Sequence, residues 1–218
     1  MIEVVLPPDV ASVDVFGDVG HARLHEAERV VMDRAVAKRR REFITTRFCA
    51  REALSQLGVC AGPLLPGPGG SPVWPDGFIG SMTHCEDYRA AAVTRSVRYA
   101  SIGVDAEPNE RMPVGVLPAV ALPSEMVWCA DQPDSRVCRD RLLFSAKEAI
   151  YKAWYPLTGL WLEFQQVNLT FCDYERTFDG RFLVPGPTVA DKRLAGFSGR
   201  WFAAEGLILT AVVIRNDQ

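Results

Sequence analysis

Hydrophobic and polar positions along the chain follow two periods. Phe43, Cys49 or Ala50, Leu54 and Leu57 recur as one apolar stripe, which predicts a helix over about 40–57. Gly58 stands where a helix C-terminal glycine belongs. A second stripe, Leu143, Ala146, Ile150 and Ala153 or Trp154, predicts a helix from about 140 to 155, ended by Pro156. Alternation predicts short strands at 78–84, 89–93 and 99–107 behind the first helix, and again at 161–171, 181–184, 199–204 and 207–214. Glu205-Gly206 reads as the turn of a final hairpin. Residues 21–37 mix charged and apolar positions at helical spacing, after an irregular or strand-like lead-in at 1–20. Residues 62–72 form a Gly/Pro surface loop. Residues 108–138 carry isolated hydrophobics without a clean period and read as a connector with a helical turn near 124–130. Both halves thus run helix then strands, an α+β pattern, although no repeat at the level of letters supports a duplication.

The stretch Ser101-Ile-Gly-Val-Asp-Ala-Glu-Pro108 concentrates the candidate chemistry. Side chains two apart on a strand share a face, so Asp105 and Glu107 project together, and Pro108 ends the element. Two like charges are tolerable on one face if a cation sits between them, and Mg2+ suits such oxygen donors. A strand end with both carboxylates in water is the alternative. Arg39, Arg40, Arg47 and Arg51 recur along the first helix, where they can converge on one anion or form a solvated basic face. Gly80 and Ser81 let a ligand approach the backbone of the strand that ends in Thr83 and His84. On the later helix Glu148 and Lys152 lie four apart, beside Lys147. His21 and His25 are also four apart, but nothing near them recommends a metal pair over an exposed helix face.

Composition narrows the class. The chain has 218 residues, 48% of them hydrophobic, enough for a substantial core. Its net charge of -3 argues against binding extended polyanions such as nucleic acid. The first residues lack the basic start and long apolar run of a signal peptide, and no apolar stretch has membrane-spanning length. Six scattered cysteines without a Cys-x-x-Cys pair read as free thiols in a reducing cytoplasm.

Arg39…Arg47, Ser81-Met-Thr-His84, Gly103-Val-Asp-Ala-Glu107 and Phe144-Ser-Ala-Lys-Glu-Ala-Ile-Tyr-Lys152 occur in one order. Together they resemble the 4′-phosphopantetheinyl transferases of the large, monomeric Sfp/EntD type, above all the actinobacterial branch serving polyketide, nonribosomal-peptide and fatty-acid carrier proteins. The resemblance spans about residues 35–215. It implies two similar helix-plus-antiparallel-sheet lobes in pseudo-twofold arrangement, placed here at 1–108 and 109–218. It implies transfer of the phosphopantetheine arm of coenzyme A (CoA) to a serine of an acyl, peptidyl or aryl carrier, with release of adenosine 3′,5′-bisphosphate. By the same resemblance Asp105, Glu107 and Glu148 hold Mg2+, with Mn2+ as a substitute. Arg39 and Arg47 grip the 3′-phosphate, Thr83 and His84 meet a CoA phosphate, and Lys152 stabilises the departing oxygen. Glu148 is the candidate base, and Lys147 a second phosphate contact or a surface lysine.

One departure stands out. Relatives often carry a cation in the loop before Trp74-Pro-Asp-Gly77; here that phosphate contact is missing, or backbone N–H groups of Gly69 and Gly70 replace it as an anion nest. The connector residues Met112, Val114, Val116 and Leu117 are candidates either for docking the carrier or for packing the halves together. A Mg2+-dependent nuclease built on Asp105, Glu107 and Lys147, and a CoA-binding regulator without turnover, are the rival readings.

Overall fold

The computed structural model describes residues 1–131 and 136–217. A three-stranded antiparallel sheet has the order β1 (Ala11–Phe16), β3 (Tyr88–Arg95), β2 (Phe78–Cys85). On it lies α2 (Ala37–Gln56), whose Cys49, Ala50, Ala53 and Leu54 pack with Ala91 and Val93 of β3. The run at 21–37 forms only the short α1 (Glu26–Val31). Its Glu28 is wholly buried and accepts two bonds from Arg51 of α2, at 2.9 and 3.2 Å.

The second sheet has five strands in the order β4 (Tyr99–Pro108), β10 (Leu207–Arg215), β9 (Gly196–Ala204), β6 (Thr177–Phe182), β5 (Val167–Cys172). Across it runs α5 (Arg139–Thr158), burying Leu143, Ile150 and Trp154 against Phe178, Ile208 and Val212. Pro156 does not end α5. In the last turn its missing N–H forfeits only the bond to the Lys152 carbonyl, and the helix runs on to Gly159 at φ 66°. The short α3 (Leu117–Val120) and α4 (Pro123–Ala130) fill the connector, and β7 (Thr188–Val189) pairs with β8 (Lys192–Arg193). Glu205 and Gly206, at φ 52° and 74°, form the expected two-residue turn between β9 and β10. Residues 161–166 precede β5 as loop and a 3-10 turn, not as strand.

β4 is where the expected layout changes. It was read with β2 and β3, but its ladder runs to β10, with Asp105 opposite Thr210 and Glu107 opposite Ile208. By its ladder β4 belongs to the second sheet. Towards β2, side chains replace a backbone ladder. The N–H of Val104 donates to Ser81 Oγ and that of Ala106 to Thr83 Oγ1, each at 3.1 Å. Ser81 and Thr83 thus close an open sheet edge and bind the two sheets together. Below this seam Tyr88, Ala90, Ile102, Val104, Ala106 and Leu209 share one apolar cluster.

Candidate active site

The site begins with a missing side chain. A Cβ on Gly103 would run into the carbonyl oxygen of Ala149 and come within 2.6 Å of the Ala153 nitrogen. Glycine here lets the α5 backbone lie directly on β4, and Ser101 Oγ fixes the contact by donating to the Ala153 carbonyl at 2.7 Å. That approach sets Lys152 over Asp105. Lys152 Nζ donates to Asp105 Oδ1 at 2.7 Å and to the Val104 carbonyl at 3.1 Å. Thr83 Oγ1 donates to the same Asp105 oxygen at 3.2 Å. Asp105 Oδ2 is buried and has no hydrogen-bond partner.

Two more carboxylates feel this charge. Burial first, and Asp105 second, push the Glu107 carboxyl up to about 7, against the pull of Arg141. Burial likewise raises Glu148, with Asp105 adding to the shift and Lys152 opposing it. The three acids therefore form one electrostatic cluster centred on Asp105. As placed, however, no three His, Cys, Asp or Glu side chains among the described residues stand close enough to hold a metal. Asp105 turns to Lys152, and Glu107 turns to Arg141 at 2.9 Å.

Two adjoining cavities open here, the first touching the cluster through Glu148. One, of about 290 Å³, is mostly apolar and lined by Trp74, Ile79, Ser101, Tyr151 and Tyr155, with Glu148 and Lys152 in its wall. The other, of about 250 Å³, is lined by Arg39, Phe43, Arg47 and His84. Gly70, Pro72 and Met82 border both, so the Gly/Pro loop and β2 form the ridge between them. In the second cavity Arg39 Nη1 lies 2.9 Å from His84 Nε2, and Glu42 Oε2 lies 3.4 Å from the same nitrogen. Burial, then the charge of Arg39, holds the His84 ring below its ordinary pKa. Arg47 stacks over Phe43 at 4.0 Å and donates from Nε to the Leu64 carbonyl at 2.8 Å. Burial lowers its guanidinium to about 10.

Several expected site residues stand elsewhere. Lys147 is not a phosphate contact and not a surface lysine. Its ammonium is buried, donating to Glu125 Oε2 at 2.7 Å, the Phe164 carbonyl at 2.8 Å and the Val120 carbonyl at 2.9 Å. The Gly70 N–H is taken by the Gly67 carbonyl at 3.1 Å, so the supposed nest loses one of its two donors. Gly69 is left-handed at φ 64° and faces the Tyr155 ring, which a Cβ there would strike. Of the connector hydrophobics, Met112 is buried and Leu117 packs on the main core, while Val114 is fully exposed and Val116 half-buried.

Arg141 went unnoticed in the sequence. Spacing held a signal for it, because Arg141, Ser145, Glu148 and Lys152 follow the i, i+4, i+7, i+11 pattern of one helix face.

Residues 26–94 match the family model of the 4′-phosphopantetheinyl transferase N-terminal domain, and residues 101–184 that of the 4′-phosphopantetheinyl transferase superfamily. The chain is 51% identical to the 4′-phosphopantetheinyl transferase Svp of Streptomyces mobaraensis, over 98% of this chain and 89% of that protein. It is a member of the 4′-phosphopantetheinyl transferase superfamily. The transferase Npt of Nocardia iowensis is 46% identical over 97% of this chain and 99% of its own. PptT of Mycobacterium tuberculosis is 44% identical over 96% and 98%. Such likeness over nearly the whole chain makes this an enzyme of the phosphopantetheinyl transferase family and removes the nuclease and regulator readings. The first matched region ends at 94 and the second begins at 101, within β4. No helix among the described residues is long and apolar enough to cross a membrane.

Proposed function

We propose that the cleft bounded by β2, β4 and α5 binds CoA and passes its phosphopantetheine arm to a serine of an acyl, peptidyl or aryl carrier protein. The observation that carries this reading is the Asp105–Lys152 contact, with Lys152 in the wall of an apolar cavity that shares the ridge of Gly70, Pro72 and Met82 with an arginine-lined cavity. CoA has the matching shape, with an apolar arm, a pyrophosphate at its middle and a nucleotide with a further phosphate at its end. Arg39 and Arg47 offer guanidinium donors to the 3′-phosphate, and His84 offers a ring N–H to another phosphate oxygen. Lys152 neutralises the pyrophosphate and the oxygen that departs with adenosine 3′,5′-bisphosphate.

Glu148 faces the same cavity as Lys152, and its raised pKa suits it to take the proton of the carrier serine. The serine oxygen then bonds the phosphorus as the bond to the bisphosphate oxygen breaks.

The donor set fits Mg2+ or Mn2+, since Asp105 Oδ2 is a buried carboxylate oxygen without a partner. Asp105, Glu107 and Glu148 would hold the ion, which when bound supplies positive charge to the pyrophosphate oxygens. On the connector, Val114 and Val116 remain the candidates to meet a carrier. The six free thiols support a cytoplasmic setting, and a monomer is the expected state.

The test is intact-mass analysis of an apo acyl carrier protein after incubation with this chain, CoA and Mg2+. A gain of one phosphopantetheine arm, abolished by Asp105→Asn, is expected; an unmodified apo acyl and an unmodified apo peptidyl carrier would refute the reading.

A further inference from the structure

Arg141 enters none of the steps above, yet it grips the site and the connector at once. Nη1 donates to Glu107 Oε2 at 2.9 Å, Nε to the Glu110 carbonyl at 3.1 Å and Nη2 to the Arg111 carbonyl at 3.3 Å. Its neighbour Asp140 accepts the Met112 N–H at 2.9 Å, and Asn109 accepts the Cys138 N–H at 2.8 Å. The first turn of α5 therefore clamps residues 109–112. Among the described residues, Arg141 is the one that ties that clamp to a carboxylate of the cluster.

We propose that Arg141 is a positioning residue that fills the cation place beside Glu107 and yields it when a divalent ion binds, so that loading the ion loosens residues 109–112. This rests on the reading of Asp105, Glu107 and Glu148 as ligands of a divalent cation. One carboxylate cannot give its full charge to two cations. The Arg141 and Glu107 side chains are only 17% and 19% exposed, so water does not screen the competition away. Each ligand turned towards a protein cation must be turned back before it can ligate. Lys152 keeps a role once the ion is in place, because a phosphate can take over its charge. Among the described residues, the other contacts of Arg141 are the connector carbonyls of Glu110 and Arg111 and its own helix at Asp140. Ion binding on one side of the pair is thus felt in the segment that leads to Val114 and Val116. The strand and the connector are linked by a side chain that must choose between them.

The experiment titrates Mn2+ into the full chain with CoA bound, reading free Mn2+ by electron paramagnetic resonance. Arg141→Gln removes the competitor and is expected to bind Mn2+ about five- to tenfold more tightly than the wild type. Arg141→Lys keeps the charge and should bind like the wild type, while circular dichroism confirms that both variants fold. In the wild type, Mn2+ should speed hydrogen exchange at the amides of 110–112, a reading that stands even if Arg141→Gln fails to fold. Wild type that binds Mn2+ while Arg141→Gln binds it equally or more weakly overturns the proposal, as does unchanged exchange at 110–112. Absence of Mn2+ uptake by the wild type, or uptake indifferent to Asp105→Asn, instead overturns the metal reading beneath it.

Discussion

Replacing Lys147 and Lys152 one at a time separates a strut from a ligand contact. The Lys147 side chain is 0% exposed, and its partner Glu125 is 1% exposed. Three acceptors surround the ammonium, and Glu125 in turn accepts the N–H of Leu122 and of Leu169, each at 2.7 Å. Lys147→Ala leaves a buried carboxylate without its cation and two carbonyls without a donor. Breaking a buried pair from one side costs about 3–5 kcal/mol. For a chain of this size that lowers Tm by roughly 10 °C. Folded Lys147→Ala, held at 10 °C, should bind CoA within about threefold of the wild type, since the ammonium never reaches either cavity. Lys152→Ala should lose CoA affinity by tenfold or more, because on the proposed reading its charge meets the pyrophosphate. Lys147→Met combined with Glu125→Gln removes both charges and keeps an acceptor for one of the two N–H groups, since Leu122 and Leu169 use different carboxylate oxygens, and should recover part of the lost stability. Differential scanning fluorimetry and calorimetric CoA titration give the two readouts. A Lys147→Ala protein that melts like the wild type but loses CoA tenfold would refute this assignment.

Gly103→Ala forces α5 off β4 and should cost about 1–3 kcal/mol while sharply reducing transfer; an unchanged melting curve with full transfer would contradict the packing described. His84 has a lowered native pKa, so the unfolded chain binds a proton there more readily once pH drops below about 6.5. The stability it contributes is present at higher pH and lost as pH falls. The urea midpoint difference between wild type and His84→Gln should therefore shift against the wild type from pH 7.5 to 5.5, and a constant difference would count against it. Cys60 and Cys172 are exposed, whereas burial pushes Cys49, Cys85 and Cys129 up to about 12. At pH 8 an aromatic disulfide reagent should label Cys60 and Cys172 rapidly and those three only on unfolding; fast labelling of Cys85 in Cys85-only protein would contradict this.

The two main helices and the last hairpin were legible because each is written in local periodicity. The Glu205-Gly206 turn needs positive φ at both positions, and few residue pairs supply it as readily. Strand partners were not legible. β4 alternates like its neighbours in sequence, and nothing local says that it pairs with β10, some hundred residues later. The clue was chemical: β2 carries hydroxyls at Ser81 and Thr83, where a strand sharing a backbone ladder has no need of them.

Lys147 shows how a motif can mislead where periodicity does not. Lys-Glu-x-x-x-Lys invites the reader to aim both lysines at the same phosphates. Five residues turn a helix by 500°, leaving those side chains about 140° apart, whereas Glu148 and Lys152, four apart, lie nearly in line. Leu143, Lys147, Ile150 and Trp154 instead follow the i, i+4, i+7, i+11 spacing of the buried stripe. A lysine on that stripe must either carry its charge to water or find an acid inside, and Glu125 sits 22 residues earlier on α4 to receive it. Arg141 is the converse case, on the same face as Glu148 and Lys152 but outside the motif letters. Helical phase, applied to every charged residue of α5, sorts strut from site before any coordinate is known.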